Sequence, residues 1–164
     1  MSNNSDFWTV RQPANVAHFI LLHVTPARLV AARTGIPVEV ILAQSALESD
    51  WGRVVKGNDY FGIKGRSHAR DPVSSVYPEL TAQGKQSAAT SKVRIYSGYA
   101  EAADDYASFL LMQYRTAFAY RADPEEFAEM VARQGYSADP QYGSKLCSII
   151  LLNVLPMLSF LSGR

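Results

Sequence analysis

The sequence predicts an α+β domain that is mainly helical. Three observations predict it. Apolar residues recur at helical spacing toward both ends of the chain, in segments bounded by Pro, Gly or acidic cap signals. One stretch between them, 73–96, carries β-branched and aromatic runs around a polar turn. No linker, repeat or low-complexity tract divides the 164 residues. They suit a single domain over 1–164, with a flexible polar N-terminus over 1–12.

The elements follow in order. Residues 13–24 have a helical pattern. Thr25-Pro26 then reads as an N-cap with Pro at the first helical position, so a second helix is expected to Ala32, stopping at Gly35. Pro37 opens a third helix to about Ser49, apolar nearly all round, and such a helix belongs in the interior. Residues 52–70 are rich in Gly, Arg and Asn and read as a loop. Residues 73–80 and 90–96 flank a Gln83-Gly84-Lys85 turn and predict a β-hairpin, with Pro78 placing its strand on an edge. Helical spacing returns from Ser97. Asp123-Pro124-Glu125-Glu126 supplies a cap, a Pro at N1 and an acidic first turn. Asp139-Pro140 starts the last helix, whose apolar part, 146–161, is expected to be buried, broken near Pro156 and too short to cross a membrane.

Composition excludes several function classes. Hydrophobic residues make up 48% and charged residues 19%, which argues for a packed core. Sixteen Lys and Arg against 15 Asp and Glu give a net charge of +1, without the basic excess expected of a nucleic-acid partner. The single Cys147 excludes an internal disulfide, and His18, His23 and His68 are scattered, so neither a metal nor another cofactor is expected.

Glu48 is the sharpest candidate. It lies at the end of the buried third helix, where partial desolvation would raise its pKa and keep it protonated for delivery to a leaving oxygen. The competing reading is a solvated Glu, or one paired with Arg53. The loop Gly57–Gly65 gathers Asn58 and Tyr60, suited to a sugar ligand, and Phe61 and Ile63, suited to packing. Glycoside hydrolysis usually needs a second carboxylate, about 5–5.5 Å away for retention or about 6.5–9.5 Å for inversion. Glu79 and Asp71 compete for that place. Tyr136 falls in the turn before the last helix and could enter a cleft, whereas Asp139 reads as an N-cap.

Ala43-Gln44-Ser45-Ala46-Leu47-Glu48-Ser49-Asp50-Trp51-Gly52, followed by Asn58-Asp59-Tyr60-Phe61-Gly62-Ile63-Lys64, resembles the signature of glycoside hydrolase family 73. Val93–Tyr99 with Asp105-Tyr106, and Gln134–Tyr142 with Lys145-Leu146, resemble later blocks of that family in the same order. The family comprises bacterial endo-β-N-acetylglucosaminidases that cut peptidoglycan. The resemblance implies a lysozyme-like fold: a helical lobe, a small β-hairpin lobe and a groove between them. It implies Glu48 as general acid, Tyr136 in the active site, and Tyr60 and Phe61 at the groove floor. Asn58, Trp51 and Gln44 are the further substrate contacts expected. Two residues depart from the family pattern. Asp50 stands where the family usually has Gly, and would raise the Glu48 pKa further if close. Aligning on Val93-Arg94 puts the family's second carboxylate at Leu80, one residue from Glu79, and a one-residue slip inverts the face. The substrate's own 2-acetamido oxygen is the third option.

The expected function is cleavage of the β-1,4 bond between N-acetylglucosamine and N-acetylmuramic acid in peptidoglycan glycan strands. No signal peptide is visible, so the chain is expected to be made in the cytoplasm, as a monomer without membrane insertion, and to act in the wall of a target cell. An antibacterial type VI secretion effector would need an immunity protein occluding the groove. A phage-type endolysin, a muramidase of the same fold and an inactive glycan-binding domain are the alternatives.

Overall fold

The computed structural model describes residues 12–64, 73–76, 79–80, 86–87 and 90–163, with side chains over 12–64 and 94–163. Helix α1 spans Ala14–Thr34 and α2 spans Val38–Glu48. Strands β1 (Val73–Val76), β2 (Glu79–Leu80), β3 (Gln86–Ser87) and β4 (Thr90–Val93) follow. Then come α3 (Tyr99–Gln113), a 3₁₀ turn (Arg115–Tyr120), α4 (Pro124–Arg133) and α5 (Tyr142–Ile149). A π-helical segment, Ile150–Val154, leads into α6, Leu155–Ser162. The architecture among the described residues is mainly helical, and one hydrophobic core runs through α1 to α6.

Helix α2 is the central element. Val40, Ile41, Leu42, Ala43 and Ala46 are all fully buried, with α1, α4 and α5 packed around them. Burial of each large apolar side chain contributes about 1.5–3 kcal/mol, so this one helix fixes where its C-terminal residue, Glu48, emerges.

Two helix expectations need correction. The chain does not break at Thr25-Pro26, and α1 runs through Pro26 to a left-handed cap at Gly35, whose N–H bonds the Ala31 carbonyl. Phe19, Ile20, Val24, Ala27 and Val30 form one continuous buried face across the proline. Their combined burial outweighs the roughly 3 kcal/mol cost of an interior proline. The second correction concerns 146–161. The break near Pro156 is absorbed by the π-helical segment just before it, a common way to accommodate a missing donor. Only one face is buried, through Leu146, Ile150, Val154, Met157 and Leu158, while Leu151, Leu152 and Phe160 are exposed. By length and composition alone, both α1 and the continuous helical run 142–162 could cross a membrane. Each nevertheless supplies a stripe of side chains to the core.

Helix α4 begins where the sequence indicates. Asp123 caps it, accepting from Glu125 and Glu126 N–H at 3.1 Å each, with Pro124 at N1. At the other end of the chain, Gln12 donates to the Leu152 carbonyl (2.7 Å) and accepts from Asn153 (2.6 Å), so this residue of the expected flexible terminus is tied to the C-terminal helices. The remainder, 1–11, lies outside the described residues.

Between α2 and α3 the described backbone forms two short antiparallel ladders. β1 pairs with β4 from Val73↔Val93 to Val76↔Thr90, and β2 pairs with β3 at Glu79↔Ser87 and Leu80↔Gln86. The expected turn at 83–85, Pro78 and Asp71 lie outside the described residues.

Candidate active site

The site is built where α2 ends. Ser49 Oγ donates back to the Ser45 carbonyl (2.5 Å) and accepts from Gly52 N–H (2.9 Å). Asp50, Trp51 and Gly52 then turn the chain through three consecutive left-handed conformations. That path is costly for the two non-glycine residues, and the Trp51 N–H bond to the Ala46 carbonyl (2.8 Å) helps hold it. The turn leaves Glu48 half-buried beside the loop 57–64.

Glu48 sits at the end of a directed hydrogen-bond chain. The Tyr106 hydroxyl donates to Gln44 Oε1, Gln44 Nε2 donates to the Tyr142 hydroxyl (3.1 Å), and that hydroxyl donates to Glu48 Oε1 (2.7 Å). Gln44, Tyr106 and Tyr142 come from α2, α3 and α5, and all three are buried. The second oxygen, Oε2, faces Gly62, where a Cβ would stand only 2.8 Å away. Gly62 has φ +65°, so both backbone conformation and the approach of Glu48 demand glycine there.

Burial pushes the Glu48 pKa above the ordinary carboxylate value. The Tyr142 hydrogen bond opposes this, and the negative charge of Asp59 adds to it. Asp59, 8% exposed, accepts from Phe61 N–H (3.1 Å) and Gly62 N–H (3.0 Å) through Oδ1. Its own pKa is pushed up to about 6 by burial, against the lowering effect of those amides and of Arg94. The charge next to Glu48 is therefore Asp59, not Asp50. Asp50 is exposed and held by Arg53 through two side-chain contacts of 2.7 and 3.1 Å. The same pairing takes Arg53 away from Glu48.

The other expected site residues divide into two groups. Tyr60 is half-buried, packing on His23 (5.0 Å) and Tyr99 (5.0 Å). Trp51 is half-buried edge-on to Phe19 (5.7 Å). Asn58 is exposed, at φ +58°, and donates to the Tyr96 carbonyl (2.9 Å), so it fastens the loop. Phe61 and Gln44 are corrections. Both are fully buried, so Phe61 takes the packing role expected of it beside Ile63 rather than the groove floor implied by the resemblance, and Gln44 is enclosed rather than open to substrate. Phe61 stacks on Tyr106 (4.2 Å between centroids, 15°), and Gln44 braces the hydrogen-bond chain. Tyr136 does reach the site, stacked on Tyr142 (5.7 Å, 13°), but its hydroxyl proton is committed to the Phe61 carbonyl (2.7 Å). Glu79 is placed only by its backbone, opposite Ser87, and its side chain lies outside the described residues. Sequence reasoning missed Tyr142 and Asp59 as individual contributors, although both lie inside quoted motif blocks. Asp139 accepts from Gln141 N–H (2.9 Å) and bonds Lys145 (2.5 Å), so it shapes the turn into α5. Among the described residues, no three His, Cys, Asp or Glu side chains are grouped to hold a metal ion.

A half-buried carboxyl whose pKa is raised by burial, with a neutral tyrosine donor on one oxygen, can carry a proton. The family comparison decides what kind of chemistry surrounds it. Residues 24–154 match the model of the glucosaminidase family, described as mannosyl-glycoprotein endo-beta-N-acetylglucosaminidase. The chain belongs to this family of glycoside hydrolases. Among glucosaminidase-family relatives, peptidoglycan hydrolase FlgJ of Salmonella typhimurium is 35% identical over 133 residues, which is 76% of this chain and 42% of FlgJ. Exo-glucosaminidase LytG of Bacillus subtilis is 30% identical over 121 residues, covering 68% of this chain and 42% of LytG. The chain thus spans less than half the length of these curated relatives. The glycoside hydrolase domain of Salmonella typhimurium FlgJ superposes with a TM-score of 0.66 at 30% identity, covering 90% of this chain and 92% of that one. A peptidoglycan hydrolase mutant from Sphingomonas sp. A1 gives 0.75 at 25% identity, covering 90% and 99%. A type VI secretion effector–immunity complex from Pseudomonas protegens gives 0.62 at 21% identity, covering 91% and 98%, a likeness of fold.

Proposed function

We propose that the chain is a peptidoglycan hydrolase that cleaves the β-1,4 bond between N-acetylglucosamine and N-acetylmuramic acid, with Glu48 as general acid. The observation that carries this is the Glu48 environment: burial and a nearby carboxylate favour the protonated form, while Tyr142 fixes Oε1 and leaves Oε2 to carry the proton. A protonated carboxyl at that place protonates the glycosidic oxygen as the C1–O bond breaks, and the electron pair of that bond leaves with the oxygen. The positive charge that develops at C1 needs a partner. Glu79, or the substrate acetamido oxygen, fills that role in this reading. Asp71 is the competitor for the hairpin carboxylate. Tyr60 and Trp51 would carry sugar faces. Tyr136, whose hydroxyl oxygen still has lone pairs to offer, would hold the acetamido or attacking group.

The test is a digest of purified peptidoglycan, reduced with borohydride and analysed by mass spectrometry. New reducing ends on N-acetylglucosamine support the reading, whereas new ends on muramic acid make the protein a muramidase. Chain-end against mid-chain release distinguishes endo action from the exo action named for LytG. The fold shared with the Pseudomonas protegens effector motivates a further part of the proposal: an antibacterial role restrained by an immunity protein seated over Glu48. Co-expression in the periplasm of a susceptible bacterium, with and without the gene's neighbours, tests it through lysis and its suppression.

A further inference from the structure

The Asp59 carboxylate is not explained by the general-acid role alone. It is buried at the start of the loop that covers Glu48, and its Oδ1 ties down the N–H groups of Phe61 and Gly62. Gly62 is the residue against which Glu48 Oε2 packs. Gly62 thus touches both carboxylates, its N–H bonding Asp59 and its α-carbon lying against Glu48. Tyr136 secures the same segment from the other side through the Phe61 carbonyl. We propose that Asp59 is a positioning residue: it sets the loop against Glu48 and, by its charge across Gly62, holds Glu48 in the proton-bearing form. The inference rests on Glu48 being the proton donor.

The surrounding groups are consistent with this division. Facing Glu48 are the hydroxyls of Tyr142 on α5, Tyr106 on α3 and Tyr136 from the preceding turn, all with pKa values raised by burial and hence neutral at working pH. Facing Asp59 are Tyr96 and Arg94. Arg94 is itself bound to Asp105 at 2.6 Å, which leaves less of its charge to quench Asp59. Among the described groups acting on Glu48, Asp59 is the one that supplies a charge.

Asp59→Asn separates charge from shape, because the amide oxygen can still accept from Phe61 and Gly62. Carbon-13 carboxyl titrations of the whole chain, with Glu48→Gln assigning the Glu48 signal, read the effect directly. The Glu48 midpoint should move to lower pH in Asp59→Asn. In wild-type protein, the Glu48 and Asp59 signals should each show the other's step. The basic limb of kcat/KM should move the same way, with activity above it falling roughly tenfold per pH unit of movement. An unmoved midpoint, or two independent single steps in the wild type, overturns the inference even if Asp59→Asn cannot be purified. Equal loss at every pH in Asp59→Asn and Asp59→Ala would reduce Asp59 to a loop fastener. If Glu48→Gln still cleaves peptidoglycan, the functional reading fails separately.

Discussion

Two carboxylates drawn out of solvent, half-buried Glu48 at the end of α2 and buried Asp105 inside α3, have opposite neighbours. Asp105 accepts from Arg94 at 2.6 Å and from the Tyr96 hydroxyl at 2.6 Å. Glu48 has a phenol, Tyr142, as its hydrogen-bond partner, and the charge acting on it is another carboxylate. Asp105 is therefore tied to a cation, and the pair joins the segment after β4 to α3. Glu48 is a carboxyl discouraged from ionising. The contrast teaches that burial does not mark a functional acid. The partner's charge does.

The contrast can be broken by substitution. The largest effect is expected at Glu48. With Glu48 as the proposed proton donor, Glu48→Gln should lower peptidoglycan cleavage by about 10²- to 10⁴-fold while the fold persists. Stability should move the other way. A raised folded-state pKa means the native state binds the extra proton, so stability falls as pH rises from the unfolded value through the folded one. Denaturant midpoints of Glu48→Gln should thus match or exceed wild type at pH 8, with the advantage vanishing at pH 4.

Asp105→Ala should do the reverse. Arg94 would be left largely buried without its counter-ion, costing about 3–5 kcal/mol, which urea unfolding would read. A loss no larger than that of an exposed pair would remove the distinction between the two carboxylates.

Tyr142→Phe comes next. The tyrosine bond favours the charged form of Glu48, so its loss should raise the basic limb of the pH profile, opposite in sign to Asp59→Asn. Activity at the optimum should fall roughly tenfold, from a misplaced carboxyl. The smallest effect belongs to Tyr136→Phe as a stability change. It deletes one hydrogen bond to the Phe61 carbonyl, worth about 1 kcal/mol by thermal or urea unfolding.

The sequence carried the scaffold where local physics decides. The cap at Asp123, the left-handed glycine after α1 and the apolar α2 are all legible from neighbouring residues. Pro26 misled because its penalty is local while the buried face it interrupts belongs to the whole core. Glu48 was visible as a candidate because it ends a buried helix beside a Gly- and aromatic-rich loop and falls in the motif 43–52, although helical spacing alone fits a solvated Glu equally well. Its partners were not. Tyr142 lies 94 positions away, and nothing in the spacing says which oxygen it meets. Asp50 looked closer than Asp59 along the chain, but three left-handed residues turn it to solvent and Arg53. Phe61 was legible as a packing residue from its apolar ring beside Ile63, whereas Gln44 was expected to contact substrate and only tertiary packing shows it enclosed.

The most direct test of Glu48 as proton donor compares two substrates in one variant. An oligosaccharide of N-acetylglucosamine carrying an acidic phenol as leaving group needs little protonation, whereas peptidoglycan needs it fully. Glu48→Gln should lose cleavage of the wall polymer and retain much of its cleavage of the aryl substrate. Equal loss on both substrates, or retained cleavage of the wall polymer, would contradict the account.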